Sequence, residues 1–226
     1  MTGSQPGLRV WRAGLVPYRQ ALAWQEQLVS DRPAWSHDLL LLLEHPPVIT
    51  LGRGANRANI RFTDQELAER GIDLVETSRG GDVTYHDPGQ LVGYPLVDLT
   101  RSGRDLHLFL RRLEDVLIRT VADFGLNAGR SAGRTGVWIG DKKIASIGVA
   151  VRQWVTWHGF ALNVAALHEG FAAIVPCGLH GIEMTSLQGE LGREVPVQKV
   201  ITQLVQHFSA VFDRPLLGID DIVPTA

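Results

Sequence analysis

Cysteine is nearly absent: Cys177 is the only one in 226 residues. An intramolecular disulfide and a four-cysteine zinc framework are therefore both excluded. Excess charge of one sign is lacking too. The 22 Lys+Arg and 24 Asp+Glu leave a formal net charge of −2, which argues against wholesale binding to nucleic acid or a lipid surface. Long hydrophobic runs are also missing. The most apolar, residues 39–43, is too short to span a bilayer and is bracketed by Asp38 and Glu44, so no membrane association is expected. Residues 1–7 carry neither the basic start nor the apolar core of a secretion signal. The expected location is the cytoplasm, where a reducing environment keeps Cys177 a thiol. No G-x-G-x-x-G or Walker-type loop supports nucleotide binding, and His45 and His86 lack metal-ligand spacing, so no metal or cofactor is expected.

What is present is the composition of an ordinary globular protein, 45% hydrophobic and 20% charged. No repeat, low-complexity tract or long linker divides residues 1–226, so one domain is expected. Leu8-Arg9-Val10-Trp11 reads as a strand, Pro17 opens a helix to about Val29, and residues 38–44 read as a buried strand. Thr63 and Glu66 have capping-box spacing for a short helix ending at Gly71. Two strand-like runs flank residues 79–82, and residues 91–99 form a third, in which Pro95 predicts an edge position or a bulge. Leu106, Phe109, Leu110, Leu113, Val116, Leu117, Val121 and Phe124 recur at helical spacing before Gly125. Arg104, Arg111, Arg112 and Arg119 accompany them, either as a solvated face or as a basic surface for an acidic carrier. Residues 137–151 read as a hairpin turning at Gly140-Asp141, residues 155–164 and 182–187 as strands, and residues 195–212 as a second amphipathic helix. This order predicts an α/β fold with α+β character, in which helices pack a mixed sheet.

Chemistry concentrates in a few segments. Residues 79–90 place Arg79, Asp82, Tyr85, His86 and Gln90 among three glycines, and glycine lets a backbone approach a ligand closely. The competing reading is a glycine-stabilised hairpin with a polar surface histidine. Strand alternation sends Lys142 and Lys143 to opposite faces, one solvated and the other turned inward or at a hairpin end. Trp157-His158-Gly159-Phe160-Ala161-Leu162 fits either a hydrophobic tunnel wall or plain core. Cys177 sits in Ile174-Val175-Pro176-Cys177-Gly178, which fits a presented nucleophile or a small buried packing residue.

Several segments, in this order, resemble the lipoate-protein octanoyltransferases. They are Leu43-Glu44-His45-Pro46-Pro47-Val48, Thr50-Leu51-Gly52-Arg53, residues 79–95, Gly136-Val137-Trp138, Lys143-Ile144-Ala145-Ser146-Ile147-Gly148-Val149, His158-Gly159-Phe160-Ala161-Leu162-Asn163, Pro176-Cys177-Gly178 and Thr185-Ser186-Leu187. Asp87 departs from the family, which commonly has glycine between the histidine and Pro-Gly-Gln. The resemblance implies the fold of biotin and lipoate protein ligases and a single octanoyltransferase catalytic domain over residues 1–226. It implies ping-pong transfer of octanoate, from octanoyl acyl carrier protein to a lysine of a lipoyl domain. The implied acceptors are the lipoyl domains of 2-oxoacid dehydrogenase complexes and the glycine cleavage H protein. Cys177 would be the acyl-thioester nucleophile, and Lys143 the partner that lowers its pKa. Substrate would be bound by Arg79, Gly80, Gly81, Asp82, Val83, Thr84, Tyr85, His86, Ser146, Ile147, Gly148, Gly159, Phe160 and Ala161. A ligase on the same fold would instead activate a free acid with ATP and would have no need of Cys177.

Overall fold

Leucine fills residues 39–43, and this run lies inside an eight-stranded sheet where both faces of a strand are covered. The computed structural model describes residues 6–31, 35–165, 169–178 and 181–222, and the side chains of Glu169 and Cys177 lie outside the described set. In chain order the strands are Leu8–Leu15 (β1), Asp38–Glu44 (β2), Val48–Leu51 (β3), Asp73–Glu76 (β4), Val83–His86 (β5), Gln90–Leu96 (β6), Gly129–Ser131 (β7), Arg134–Ile139 (β8), Lys142–Arg152 (β9), Val155–Asn163 (β10) and Leu216–Asp221 (β11). The helices are Tyr18–Asp31 (α1), Asp64–Glu69 (α2), Leu106–Ala122 (α3), Leu187–Leu191 (α4) and Val197–Phe212 (α5). The large sheet runs β11-β1-β2-β6-β10-β9-β8-β7, and β4-β3-β5 form a smaller one. Strand β1 pairs in parallel with β2 and β11, while β2-β6-β10-β9-β8-β7 are antiparallel, so the sheet is mixed as expected.

Alternation divides the large sheet into two environments. Leu40, Leu42, Leu91 and Leu162 point to one side, where they meet Phe109, Leu113, Val116 and Leu117 of α3 and Leu204 and Phe208 of α5. Leu39, Leu41, Leu43, Val92, Tyr94 and Ala161 point to the other, toward Ala21 and Val29 of α1. Tyr18 of α1 also packs on Val48 and Val75 of the small sheet. The small sheet has its own cluster of Ile49, Leu51, Val83 and Tyr85 with Leu67 of α2 and Ile174.

Local signals explain the boundaries. The Thr63 hydroxyl accepts from Glu66 N–H while the Glu66 carboxylate accepts from Thr63 N–H, which is the expected capping box for α2. Asp105 caps α3, and Gly125 follows it in the left-handed region at φ +85°.

Two strand expectations change. Pro95 lies inside the sheet, because β6 runs between β2 and β10. Its carbonyl accepts from Thr156 Oγ1, so its side without an N–H faces β10, where His158 leaves strand geometry at φ +53°. The residues 182–187 segment supplies only a bridge, Met184 to Lys143, because Ser186 caps α4 by accepting from Gly189 N–H. Among the described residues no helix is long and apolar enough to cross a membrane.

Candidate active site

The glycine-bearing loop before β5 is fixed by backbone contacts that side chains would block. Gly54 N–H donates to the Gly81 carbonyl at 3.1 Å, Arg53 N–H to Arg79 O at 3.0 Å, and Gly80 N–H to Val149 O of β9 at 2.9 Å. A Cβ on Gly52 would stand 2.3 Å from the Gly81 carbonyl oxygen. The loop is thus pinned between the small sheet and β9. Arg79 folds back and donates through Nη2 to the Thr50 carbonyl at 2.6 Å and to Thr50 Oγ1 at 2.9 Å, so its guanidinium braces β3.

Between this loop and the α1-facing side of the large sheet lies a cavity of about 240 Å³. Arg79, Gly80, Gly81, Asp82, Val83, Thr84 and His86 line it from the loop and β5, with Ser146, Ile147 and Gly148 from β9 and Gly159, Phe160 and Ala161 from β10. Lys143 belongs to the same lining. Tyr85 is not among the lining residues. Alternation turns it to the small sheet's own core, where it packs edge-on against Phe171 with centroids 5.4 Å apart. The lining also contains Tyr18, Val92, Tyr94, Gly133, Arg134, Thr135 and His158, which the residue patterns do not single out. Tyr18 opens α1 far upstream, whereas Val92, Tyr94 and His158 lie in stretches already marked by the resemblance without being singled out themselves.

Three buried histidines stand around the cavity. His45 Nδ1 is 2.7 Å from the Val16 carbonyl, which can only accept, so this nitrogen carries the proton and Nε2 accepts from the Tyr94 hydroxyl at 2.7 Å. Burial holds the His45 pKa down at about 4. His86 Nδ1 donates to Gln90 Oε1 at 2.6 Å, since the Gln90 amide group donates to Asn163 Oδ1 and the Tyr85 carbonyl. Burial, followed by the neighbouring His45, lowers the His86 pKa to about 3. Burial and then Arg79 lower that of His158 to about 3. His158 Nε2 is 3.2 Å from Ser78 Oγ, and its buried Nδ1 has no hydrogen-bond partner among the described residues. Burial also raises the Tyr18 hydroxyl to about 12, keeping it a neutral donor beside the His86 ring, 6.0 Å away and nearly parallel. Asp87, the departure from the family pattern, is buried beside this group and adds to burial in raising the Tyr85 pKa.

Lys143 and Lys142 separate as strand alternation predicts. Lys143 is 3% exposed, whereas the Lys142 side chain is 44% exposed and pairs with Glu183 at 3.1 Å. The Lys143 ammonium lies 5.3 Å from the Trp138 ring centroid. Gly136 makes this possible: at φ +126° its Cβ would stand 2.7 Å from Lys143 Cε and 2.6 Å from the Ala145 carbonyl. The Gly136 N–H in turn donates to the buried Glu114 carboxylate at 3.3 Å. The Lys143 backbone is clamped by Glu183 O and Thr185 N–H.

Cys177 occupies a single 3₁₀ turn, Pro176–Gly178, and its side chain lies outside the described residues. The turn's approach is fixed by Val175 N–H donating to Asn59 O and Arg61 N–H donating to Ala173 O, both at 2.7 Å. Gly178 packs so closely that its Cβ would stand 2.3 Å from Asp82 Oδ2, on the cavity-lining loop. Among the described residues no cluster of three or more His, Cys, Asp or Glu is arranged to hold a metal ion. The arginine-bearing α3 covers the sheet face opposite the cavity, where Arg111 pairs with Glu114 and Arg112 stacks 6.0 Å from the Phe212 ring.

Residues 17–209 match the lipoyl protein ligase A/B catalytic domain. The chain is 49% identical over 212 residues to an octanoyltransferase from Geobacter metallireducens, covering 93% of this chain and 96% of that one. It is 50% identical over 199 residues to an octanoyltransferase from Syntrophotalea carbinolica, covering 88% and 91%. A crystal structure of lipoate-protein ligase A bound with ATP superposes with a TM-score of 0.77 at 17% identity, covering 98% of this chain and 90% of that one, which shows a shared fold. By its sequence kinship and by the mixed sheet that carries the cavity, the chain belongs to the octanoyltransferase family of acyltransferases, built on the lipoyl protein ligase A/B catalytic domain.

Proposed function

We propose that residues 1–226 act as one catalytic domain that moves an octanoyl group from octanoyl acyl carrier protein to a lysine of lipoyl domains, through a thioester on Cys177. The acceptors would be the lipoyl domains of 2-oxoacid dehydrogenase complexes and the glycine cleavage H protein. The observation that carries this reading is convergence on one wall. Lys143 lines the cavity from β9, and the Cys177 turn packs through Gly178 on Asp82, which lines the same cavity.

The Cys177 thiolate attacks the thioester carbonyl, forming a carbon–sulfur bond and an oxyanion that backbone N–H groups near residues 146–148 and at Cys177 stabilise, the Gly178 N–H being held by the Val175 carbonyl. Collapse breaks the bond to the carrier's sulfur, which takes a proton from the Lys143 ammonium. The acceptor lysine amine then attacks the new thioester and gives a proton to the now neutral Lys143, and Cys177 leaves as thiolate. The protonation states at the end match those at the start, and exchange of one thioester for another needs no ATP. A reducing compartment, as in the cytoplasm, suits a mechanism that requires a free thiol.

Apolar lining by Val83, Val92, Ile147, Phe160 and Ala161 suits an alkyl chain, with polar groups supplied by Tyr18, His86 and His158. The test is intact-protein mass spectrometry after mixing with octanoyl acyl carrier protein, beside Cys177→Ser, followed by a chase with an apo lipoyl domain. An octanoyl adduct that needs Cys177 and moves to the domain is expected. Transfer that survives Cys177→Ser and requires ATP would replace this reading with ligation.

A further inference from the structure

Asp82 and Asn59 form a junction where three chain segments meet. Asp82 Oδ1 accepts from Asn56 N–H at 3.0 Å and from its neighbour Val83 N–H at 2.8 Å, tying the glycine-bearing loop to the turn at residues 56–59. Asp82 Oδ2 accepts from Asn59 Nδ2 at 2.5 Å. That oxygen also lies against Gly178, where φ is +67° and a Cβ would come within 2.3 Å of it. Asn59 meets the same turn from its other end, because its carbonyl accepts from Val175 N–H at 2.7 Å. The bridge of Ile60 to Ile174 continues this contact, and Gly178 N–H closes the turn on Val175 O at 3.0 Å. Asn59 therefore holds the entry to the cysteine turn with its backbone, while its amide holds the carboxylate against the exit.

We propose that Asp82 and Asn59 are positioning residues that set where the Cys177 turn stands relative to the cavity. The inference rests on Cys177 being the nucleophile. The turn is a single one of three residues, too short to fix its own orientation. A hydrogen bond to a carboxylate is shorter and stronger than one between neutral groups, so the Asp82–Asn59 contact suits this task. Both Asp82 oxygens are engaged by protein donors. Its lining of the cavity therefore reflects support of the wall more than direct contact with substrate.

The test exchanges the two side chains. Asp82→Asn places amide against amide, and Asn59→Asp places carboxylate against carboxylate. The double variant D82N/N59D restores one donor and one acceptor with the charge unchanged. Single-turnover acylation by saturating octanoyl acyl carrier protein should slow by up to about 100-fold in each single variant, the scale of a misplacement near 1 Å. The KM for the donor should stay close to wild type, and the double variant should recover most of the rate. Rate losses that simply follow Tm, or a double variant no better than the singles, would overturn the proposal. Single variants with wild-type acylation would overturn it as well, while Cys177→Ser, if inactive, would leave the nucleophile assignment standing. Transfer surviving in Cys177→Ser would instead remove the reading on which the proposal rests.

Discussion

The two faces of the large sheet are made by the same strands, yet they are opposites in chemistry. Under α3 and α5 the buried residues are mainly apolar, among them Leu40, Leu42, Leu91, Phe109, Leu113, Leu204 and Phe208, and the buried polar residues of α3 are Glu114, held by Arg111 and Arg130, and Thr120, bonded to the Val116 carbonyl. Toward α1 and the small sheet, the space beside Leu39, Leu41 and Val92 also holds buried His45, His86, His158, Arg79 and Lys143. Burying polar groups is unfavourable unless each is hydrogen-bonded, and apolar packing would be the more stable choice. The cavity face therefore gives up stability for chemistry, and the opposite face supplies it. Most of its polar groups are tied into chains, such as His86 to Gln90 to Asn163 to the Thr185 carbonyl. His158 Nδ1 is one atom where that satisfaction stops among the described residues, and Nε1 of Trp138, the ring beside Lys143, is another.

This contrast can be broken from either side. The largest expected effect is on the cavity face. Lys143→Ala should lower octanoyl transfer by roughly 100- to 10,000-fold, the usual span for loss of a general acid-base group. Gly136→Ala should lower transfer and stability together, because its Cβ would meet the Ala145 carbonyl as well as Lys143 Cε; the contrast of activity with stability is read on Lys143→Ala. Thermal melting beside single-turnover rates checks that activity falls far more than stability. Across the sheet the reverse is expected: Phe208→Ala should remove about 3–5 kcal/mol in denaturant titration and leave transfer by the folded fraction near normal. Equal damage to activity would show that the faces are coupled.

Acid should act through the cavity face. The buried histidines have folded pKa values of about 4 and 3, below their ordinary 6.5, so the unfolded chain binds more protons between these limits. Their contribution is fully present above pH 6.5 and is lost as pH falls toward 3–4. Each histidine adds a slope of up to about 1.4 kcal/mol per pH unit. His86→Asn, which retains a donor near Gln90, should flatten the stability profile by about one such share. An unchanged slope would mean that His86 is protonated in the folded protein. The smallest effect is expected on the far face. Arg111→Glu and Arg119→Glu should leave salt-dependent association with acyl carrier protein unchanged, because α3 covers the side away from the cavity. A weakened association would place a docking surface there after all.

Where packing obeys a local period, residues announce their own structure. The leucine run at β2 and the helical spacing of α3 are both explicit, as is the Thr63–Glu66 cap. Pro95 misleads because the edge-strand rule assumes a partner that needs its N–H, whereas β10 departs from strand geometry at that point. Strand β11 carries little alternation, with Leu216, Leu217 and Ile219 all exposed, and its pairing with β1 is a long-range event. The glycine-bearing loop and the inward lysine were legible as chemistry. Tyr18 and Asn59 were not, since each sits in an element whose local sequence is fully explained by helix or turn formation.

The sequence by itself determined the mixed α/β character, the placement of Lys142 and Lys143 on opposite faces, and kinship with the octanoyltransferases. These follow from period, alternation and ordered short motifs, all of which act over neighbouring residues or survive as a pattern along the chain. Only the tertiary structure decided that Tyr85 leaves the cavity while Tyr18 enters it, that Gly136 makes room for Lys143, and that Asp82 and Asn59 meet at the Cys177 turn. Such facts depend on which segments close on one another in space. Hydrogen bonds and steric contacts act over a few ångströms, and spacing along the chain does not encode that proximity.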